Sequence, residues 1–158
     1  VTDRTIAVSR NRNPDHVVAH YMQPHFPSVK YPELGGKVNP EQNIWINSVW
    51  SSLREGELDH EAVYNGYKSN LTVVLREVEL LLANTDFEDV VITADHGNGF
   101  GEEGIYGHPN ERIHPCLRKV PWITTSASDT NKHSPDSYNR DSDDISINDR
   151  LSALGYIN

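Results

Sequence analysis

The sequence predicts an α/β layer fold, and three observations carry that prediction. An amphipathic helix over about residues 59–83 leads, after a five-residue connection, into the run Val90-Val91-Ile92-Thr93-Ala94. A β-branched run of this kind suits a strand covered on both faces, and helix followed by buried strand is the order found in α/β architectures. Beyond a glycine-rich loop, Lys119-Val120-Pro121-Trp122-Ile123-Thr124-Thr125 reads as a further strand.

Taken in order, residues 1–14 are polar and end at Asn13-Pro14, a turn signal. His16-Val17-Val18-Ala19-His20-Tyr21-Met22 reads as a short, largely buried strand. The two prolines of Gln23-Pro24-His25-Phe26-Pro27 then force an irregular loop, which continues over 28–39 through Pro32 and Gly35-Gly36. A helix is expected over 40–54, entered at Asn39-Pro40, with Ile44, Trp45, Val49 and Leu53 on its apolar side. The long helix takes Asp59 as N-cap. Val63, Tyr67, Leu71, Val74, Leu75, Val78, Leu81 and Leu82 recur along it at steps of three and four. Asn84 is placed to close it in the left-handed conformation. Pro121 assigns the last strand an edge position or marks its beginning. Residues 126–144 hold almost nothing to bury and are expected to form a mobile surface loop. Ser146-Ile147-Asn148-Asp149 then starts a short C-terminal helix within 145–158, carrying Leu151, Leu154 and Ile157.

Composition narrows the function classes. At 158 residues the chain is of single-domain size and long enough to bury one core. Its 23 acidic and 14 basic side chains give a formal charge of −9, which weighs against nucleic acid and anionic membranes as partners. No apolar stretch approaches the roughly 20 residues of a membrane span, and VTDRTIAVSR lacks the apolar centre of a signal peptide. A soluble chain without a targeting signal is expected. The single cysteine, Cys116, excludes an internal disulfide framework and any multi-cysteine zinc module.

The chemistry concentrates in Thr93-Ala94-Asp95-His96-Gly97-Asn98, directly after the predicted buried strand. Ligands of open α/β sheets gather at the carboxyl ends of strands, and a packed strand delivers adjacent side chains there with little freedom. Asp95 and His96 supply a carboxylate and an imidazole, both ligands for zinc or manganese. Gly97 lets the backbone turn away and leaves room for an anion or a second metal. His108 lies twelve residues beyond His96, and His114 six further. By spacing alone, an Asp-His pair at a strand end is more often a loop cap or a solvated pair than a ligand set, and His25 between two prolines could simply be a packed loop residue.

The order VVAHYMQPHFP, long helix, VVITADHGNGFGEEGIYGH, RKVPWITT resembles the second half of enzymes of the alkaline phosphatase superfamily. It is most similar to the sulfatase-like branch and to phosphoethanolamine and phosphoglycerol transferases. Those proteins have a strand ending in Ser/Thr-x-Asp-His-Gly, a Gly-Glu-x-Gly-φ-Tyr/Trp-x-His/Lys loop (φ apolar) and a following x-Val-Pro strand. The likeness spans roughly residues 15–125 and is densest over 93–108. It implies a three-layer sandwich with an incomplete central sheet: residues 1–125 as the C-terminal part of a catalytic domain, 126–144 as a polar surface loop, and 145–158 as a terminal helix.

The resemblance also implies roles. Asp95 and His96 correspond to metal ligands, for a divalent zinc, manganese, calcium or magnesium ion. His108 stands where the transferases have a histidine and typical sulfatases a lysine, next to the transferred anion or a second metal. His25, in His-x-Pro, corresponds to a histidine that approaches phosphate or sulfate oxygens. Lys119, just before Val120-Pro121, is a candidate for substrate binding, whereas Arg112 and Arg118 are expected to be ordinary surface charges. His20 is either packed or leans into the same cleft.

The expected activity is hydrolysis or transfer of a phosphate or sulfate ester, of a small molecule, glycan or lipid. The nucleophile and further carboxylate ligands are expected from a missing N-terminal half of the same enzyme, because the family places them upstream and no Cys/Ser-x-Pro-x-Arg segment occurs here. Cys116-Leu117-Arg118 lacks that proline and follows the metal motif; a small buried thiol is expected. Alone, the chain is expected to bind metal weakly and not to turn over such esters. Two alternatives remain: a non-catalytic remnant acting as an interaction module, and an unrelated hydrolase using Asp95, His96, His108 and His114 by themselves.

Overall fold

The computed structural model describes the backbone of residues 1–35, 37–39 and 44–136, and the side chains of 1–34 and 48–136. Within these residues the chain is a mixed α/β fold, with four α-helices and three two-stranded antiparallel sheets.

The polar N-terminal stretch is a helix, α1 (Thr2–Arg12). Thr2, Ile6 and Ser9 fall on one face and are buried. One large apolar side chain suffices there, which is why the hydrophobic pattern hides the helix. Asn13, at φ 42°, closes it in the left-handed conformation, so the turn expected at Asn13-Pro14 is the helix's stop.

Residues 16–22 do not form the expected strand. Exposure alternates along them, with Val17, Ala19 and Tyr21 half-buried and Val18, His20 and Met22 exposed. The period of two is present, but no strand among the described residues pairs with it, and the segment lies at the surface with Val18 93% exposed.

β1 (Lys37–Asn39) pairs antiparallel with β2 (Ile44–Asn47), and α2 (Val49–Arg54) follows. The single helix expected over 40–54 is therefore split. Ile44, Trp45 and Ile46 have strand-forming character, and the Ser48 side chain accepts from the Ser51 N–H, a stronger helix start than Asn39-Pro40. Residues 40–43 lie outside the described residues.

α3 (His60–Leu82) is the predicted long helix, with the Asp59 carboxylate accepting from the Ala62 N–H at 2.9 Å. Its C-cap is Ala83, in the right-handed conformation. Asn84 instead is buried and bonds by its amide to Leu80 O, Arg10 and the His133 N–H. The buried face runs through Val63, Gly66, Asn70 and Val74, whereas Leu71 and Leu75 are exposed. The apolar stripe is thus broader than the surface available to cover it.

β3 (Phe87–Thr93) follows and pairs antiparallel with β6 (Trp122–Ala127), Val91 facing Thr124 and Thr93 facing Trp122. Both strands were expected, but not their exposure: Val91 is 46% and Trp122 70% exposed. Side chains alternate between faces, so Val91, Thr93, Trp122 and Thr124 make one open face. Pro121 immediately precedes β6. Between these strands lie the hairpin of β4 (Gly99–Phe100) and β5 (Tyr106–Gly107), joined through a 3₁₀ turn (Glu102–Gly104), and the short α4 (Pro115–Arg118).

The core gathers Phe26, Leu34, Val49, Leu53 and Val63, with Tyr31, Trp50, Leu58, Tyr67, Phe100 and Tyr106 packed on it. It therefore joins the proline loop, α2, the first half of α3 and the β4–β5 hairpin.

Residues 128–136 have no regular structure but are fastened to α1. Arg10 donates from Nε and Nη2 to the Asp129 carboxylate at 2.7 and 2.8 Å and from Nη1 to His133 O. His133 Nε2 lies 2.6 Å from Asp3 Oδ1, whose Oδ2 accepts from the Asp136 N–H. The mobile loop expected over 126–144 is corrected to this extent: 126–127 belong to β6, and 128–136 are held by polar contacts that a tally of apolar residues does not register. Residues 137–144 and the helix expected over 145–158 lie outside the described residues. Among the described residues no helix is long and apolar enough to cross a membrane.

A candidate histidine-rich active site

Three separate pieces of backbone bring His25, His96 and His108 to one corner, and each is set by a packing anchor beside it. His25 precedes Phe26, which is buried in the core. The loop around it is clamped by Asn70 of α3, itself fully buried. Asn70 Nδ2 faces the carbonyls of Pro24, His25 and Pro27 at 3.0–3.3 Å, and its Oδ1 accepts from the Val29 N–H at 2.8 Å. His108 follows Gly107, where φ is +69° and an added Cβ would lie 2.8 Å from the Trp50 ring. Asp95 and His96 sit just past β3, and Gly97 fixes their position. The Gly97 N–H donates to Leu117 O at 2.9 Å, and a Cβ there would lie 2.0 Å from Cys116 O. The space expected beside Gly97 for an anion or metal is filled by the backbone of α4.

The rings of His96 and His108 are 4.2 Å apart between centroids, and those of His25 and His108 6.0 Å. Each imidazole turns Nδ1 to an oxygen of the chain: His25 to Phe26 O, His96 to Gly97 O at 2.9 Å, and His108 to Asn98 Oδ1 at 2.7 Å. Carbonyl oxygens only accept, so Nδ1 carries the proton, and in the neutral form of the ring Nε2 keeps its electron pair. Burial, then the nearby His96 and His25, push the His108 imidazole below its ordinary pKa, with Asp95 pulling the other way. His108 is therefore neutral near pH 7.

Asp95 is exposed; one carboxylate oxygen accepts from the His96 N–H at 2.9 Å, and the other lies 3.8 Å from His96 Nε2. Two electron-pair donors facing each other at that distance are the arrangement a cation would bridge, since tetrahedral bonds of about 2.0–2.1 Å put adjacent ligands about 3.4 Å apart. Among the described residues, however, no three His, Cys, Asp or Glu side chains gather into a fuller ligand set.

The other candidates lie apart from this cluster in their bonding. His114 caps α4, its Nδ1 accepting from the Cys116 N–H at 3.2 Å and lying 3.0 Å from Cys116 Sγ, while Nε2 lies 3.6 Å from Glu103. His20 is exposed and lines a shallow cleft with Val1, Arg4 and Val8 of the N-terminal helix region, not the cleft of His25. Lys119 is exposed, and its backbone N–H closes α4 on Pro115 O. Arg112 and Arg118 are exposed. Cys116 is half-buried, and burial, aided by Glu102 and Glu103, pushes its thiol up, away from the reactive thiolate.

Sequence reasoning gave no role to Asn98, Tyr67 or Asn70 as polar partners. Asn98 joins His108 to Tyr67, its Nδ2 donating to the phenol oxygen at 3.1 Å. Asn70 had a visible signal: an amide on the apolar side of a helix, four residues from Gly66 and Val74, needs partners to be buried. Asn98 had none beyond its place in the motif. No protein-family model, no curated protein and no solved structure matches the chain.

Proposed function

We propose that this chain carries the metal- and anion-facing part of a metal-dependent, sulfatase-like hydrolase or transferase acting on phosphate or sulfate esters. The observation that carries it is the convergence of His25, His96 and His108, each with Nδ1 donated to a carbonyl oxygen, beside the exposed carboxylate of Asp95. A ring nitrogen engaged in this way is the usual outer support of a metal-binding histidine. Asp95 and His96 would hold a divalent cation, and imidazole with carboxylate suits zinc or manganese better than calcium. A bound cation would supply charge stabilisation for a transferred phosphoryl or sulfuryl group.

The chain's own residues shape the site around that cation. His96 and His108, ring against ring, define one wall of the site, and His25 another. The Asn70 clamp keeps His25 from swinging away. A neutral His108 accepts a proton at Nε2, a role general acid–base catalysis asks of an imidazole. The nucleophile and remaining ligands come from a further segment. In the three-layer arrangement proposed here, that segment also stacks on the open face of Val91 and Trp122.

The test is metal binding by the purified chain. Titration with zinc or manganese, followed by calorimetry, should give binding that weakens by at least about 10–100-fold in Asp95→Asn and His96→Ala, the range already seen for outer partners of metal ligands. Unchanged affinity in both variants would overturn the assignment of the site. Ready ester turnover by the metal-loaded chain would overturn the need for a further segment.

A further inference from the structure

We infer that Asn98, braced by Tyr67, is a positioning residue that holds His108 in the Nδ1–H tautomer, so that Nε2 meets a ligand as an electron-pair donor. The inference rests on the placement of His108 in the site proposed above.

Three contacts make the case. His108 Nδ1 lies 2.7 Å from Asn98 Oδ1, Asn98 Nδ2 donates to Tyr67 OH at 3.1 Å, and the Tyr67 ring packs on Phe26 and Phe100 with centroids 6.3 and 5.3 Å away. Tyr67 belongs to α3 and to the edge of the core, so its oxygen is a fixed point. An amide has one accepting and one donating end. When the donating end faces Tyr67, the accepting end faces His108 and obliges Nδ1 to carry the proton. Were the amide reversed, its N–H would face Nδ1, the proton would move to Nε2, and His108 would become a hydrogen-bond donor. The orientation of the Asn98 amide, which here donates to the Tyr67 oxygen, thus decides whether His108 suits a cation or proton-bearing oxygen, or a fully deprotonated anion.

This sharpens the role of His108. With an electron pair at Nε2, it binds a divalent cation or takes a proton from the reacting group, and does not donate to a phosphate or sulfate dianion.

The experiment is nitrogen-15 NMR of the metal-free chain at about pH 8, where imidazoles are neutral. Long-range couplings to the ring protons tell protonated from unprotonated nitrogens. His108 should be mainly Nδ1–H in the wild type and in Asn98→Asp, whose carboxylate only accepts. Asn98→Leu should move it to the Nε2–H form that free imidazole prefers, and the near-isosteric Tyr67→Phe should yield a mixture. An Nε2–H wild type, or an unchanged tautomer in folded Asn98→Leu, would overturn the inference. Adding zinc to the same samples separates the two proposals. Nδ1–H without zinc binding removes the metal reading and leaves the relay standing, whereas zinc binding by an Nε2–H His108 removes the relay alone.

Discussion

Asn70 shows how one side chain far from the chemistry can set its geometry. It is fully buried, and its amide serves three carbonyls and one N–H of the loop that carries His25. Removing it takes the partner from those part-buried groups, at about 1–3 kcal/mol where they stay shielded from water. Asn70→Ala should therefore lower stability by about that amount, read from urea unfolding, and broaden the His25 resonances as the loop loosens. A loss below about 0.5 kcal/mol would mean that Phe26 packing alone holds the loop. At this scale the sequence was partly legible. Asp95 and His96 stood out because they are neighbours at the end of a β-branched run. His25 and His108 were marked by the family likeness, and their joining to His96 depends on packing around Phe26 and Trp50 that no local pattern records. Asn98 was opaque because its partner, Tyr67, is on another element.

Among the elements, α3 was the most legible, since its repeat is long and Asp59 is a strong cap. Its buried face was not: Gly66 and Asn70 are buried while Leu71 and Leu75 are exposed, so hydrophobicity misjudged the orientation. α1 was illegible because polar contacts substitute for apolar ones. Those contacts predict an acid response. The Arg10 guanidinium, and then the Asn131 N–H, hold the Asp129 carboxyl below its ordinary range; His133 and the Asp136 N–H do the same for Asp3. A lowered carboxyl pKa means the unfolded chain binds more protons in that window, so stability falls on acidification. The contribution is fully present above about pH 5 and drains away as the pH passes below about 3.9. Arg10→Gln should flatten the fall in melting temperature between about pH 5 and 3, because Asp129 loses its main partner; an acid profile parallel to the wild type would contradict the assignment. Both pairs are only partly shielded from solvent, which screens them and keeps the effect at neutral pH modest.

At the scale of the molecule, the sequence conveyed the presence of helices and strands but not how the strands associate. A run such as Val90-Val91-Ile92 is compatible with a covered parallel strand and with an antiparallel pair open on one side; only the neighbours decide. Here β3 has β6 beside it and an uncovered face, which leaves Trp122 and Val91 in solvent. The fastening of α1 to residues 128–136 has a consequence in time. It joins residues separated by 119 to 133 positions along the chain. Contacts this remote must wait for the intervening chain to be arranged, whereas α3 forms from near neighbours. The fastening is therefore expected to close after the rate-limiting step and to open before it on the way back. In stopped-flow measurements Arg10→Gln should accelerate unfolding and leave the refolding rate nearly unchanged; a slowed refolding limb would place these contacts in the nucleus instead. On this expectation α1 and residues 128–136 act as a latch: they do not hasten the arrival of the native state, but they lengthen its stay.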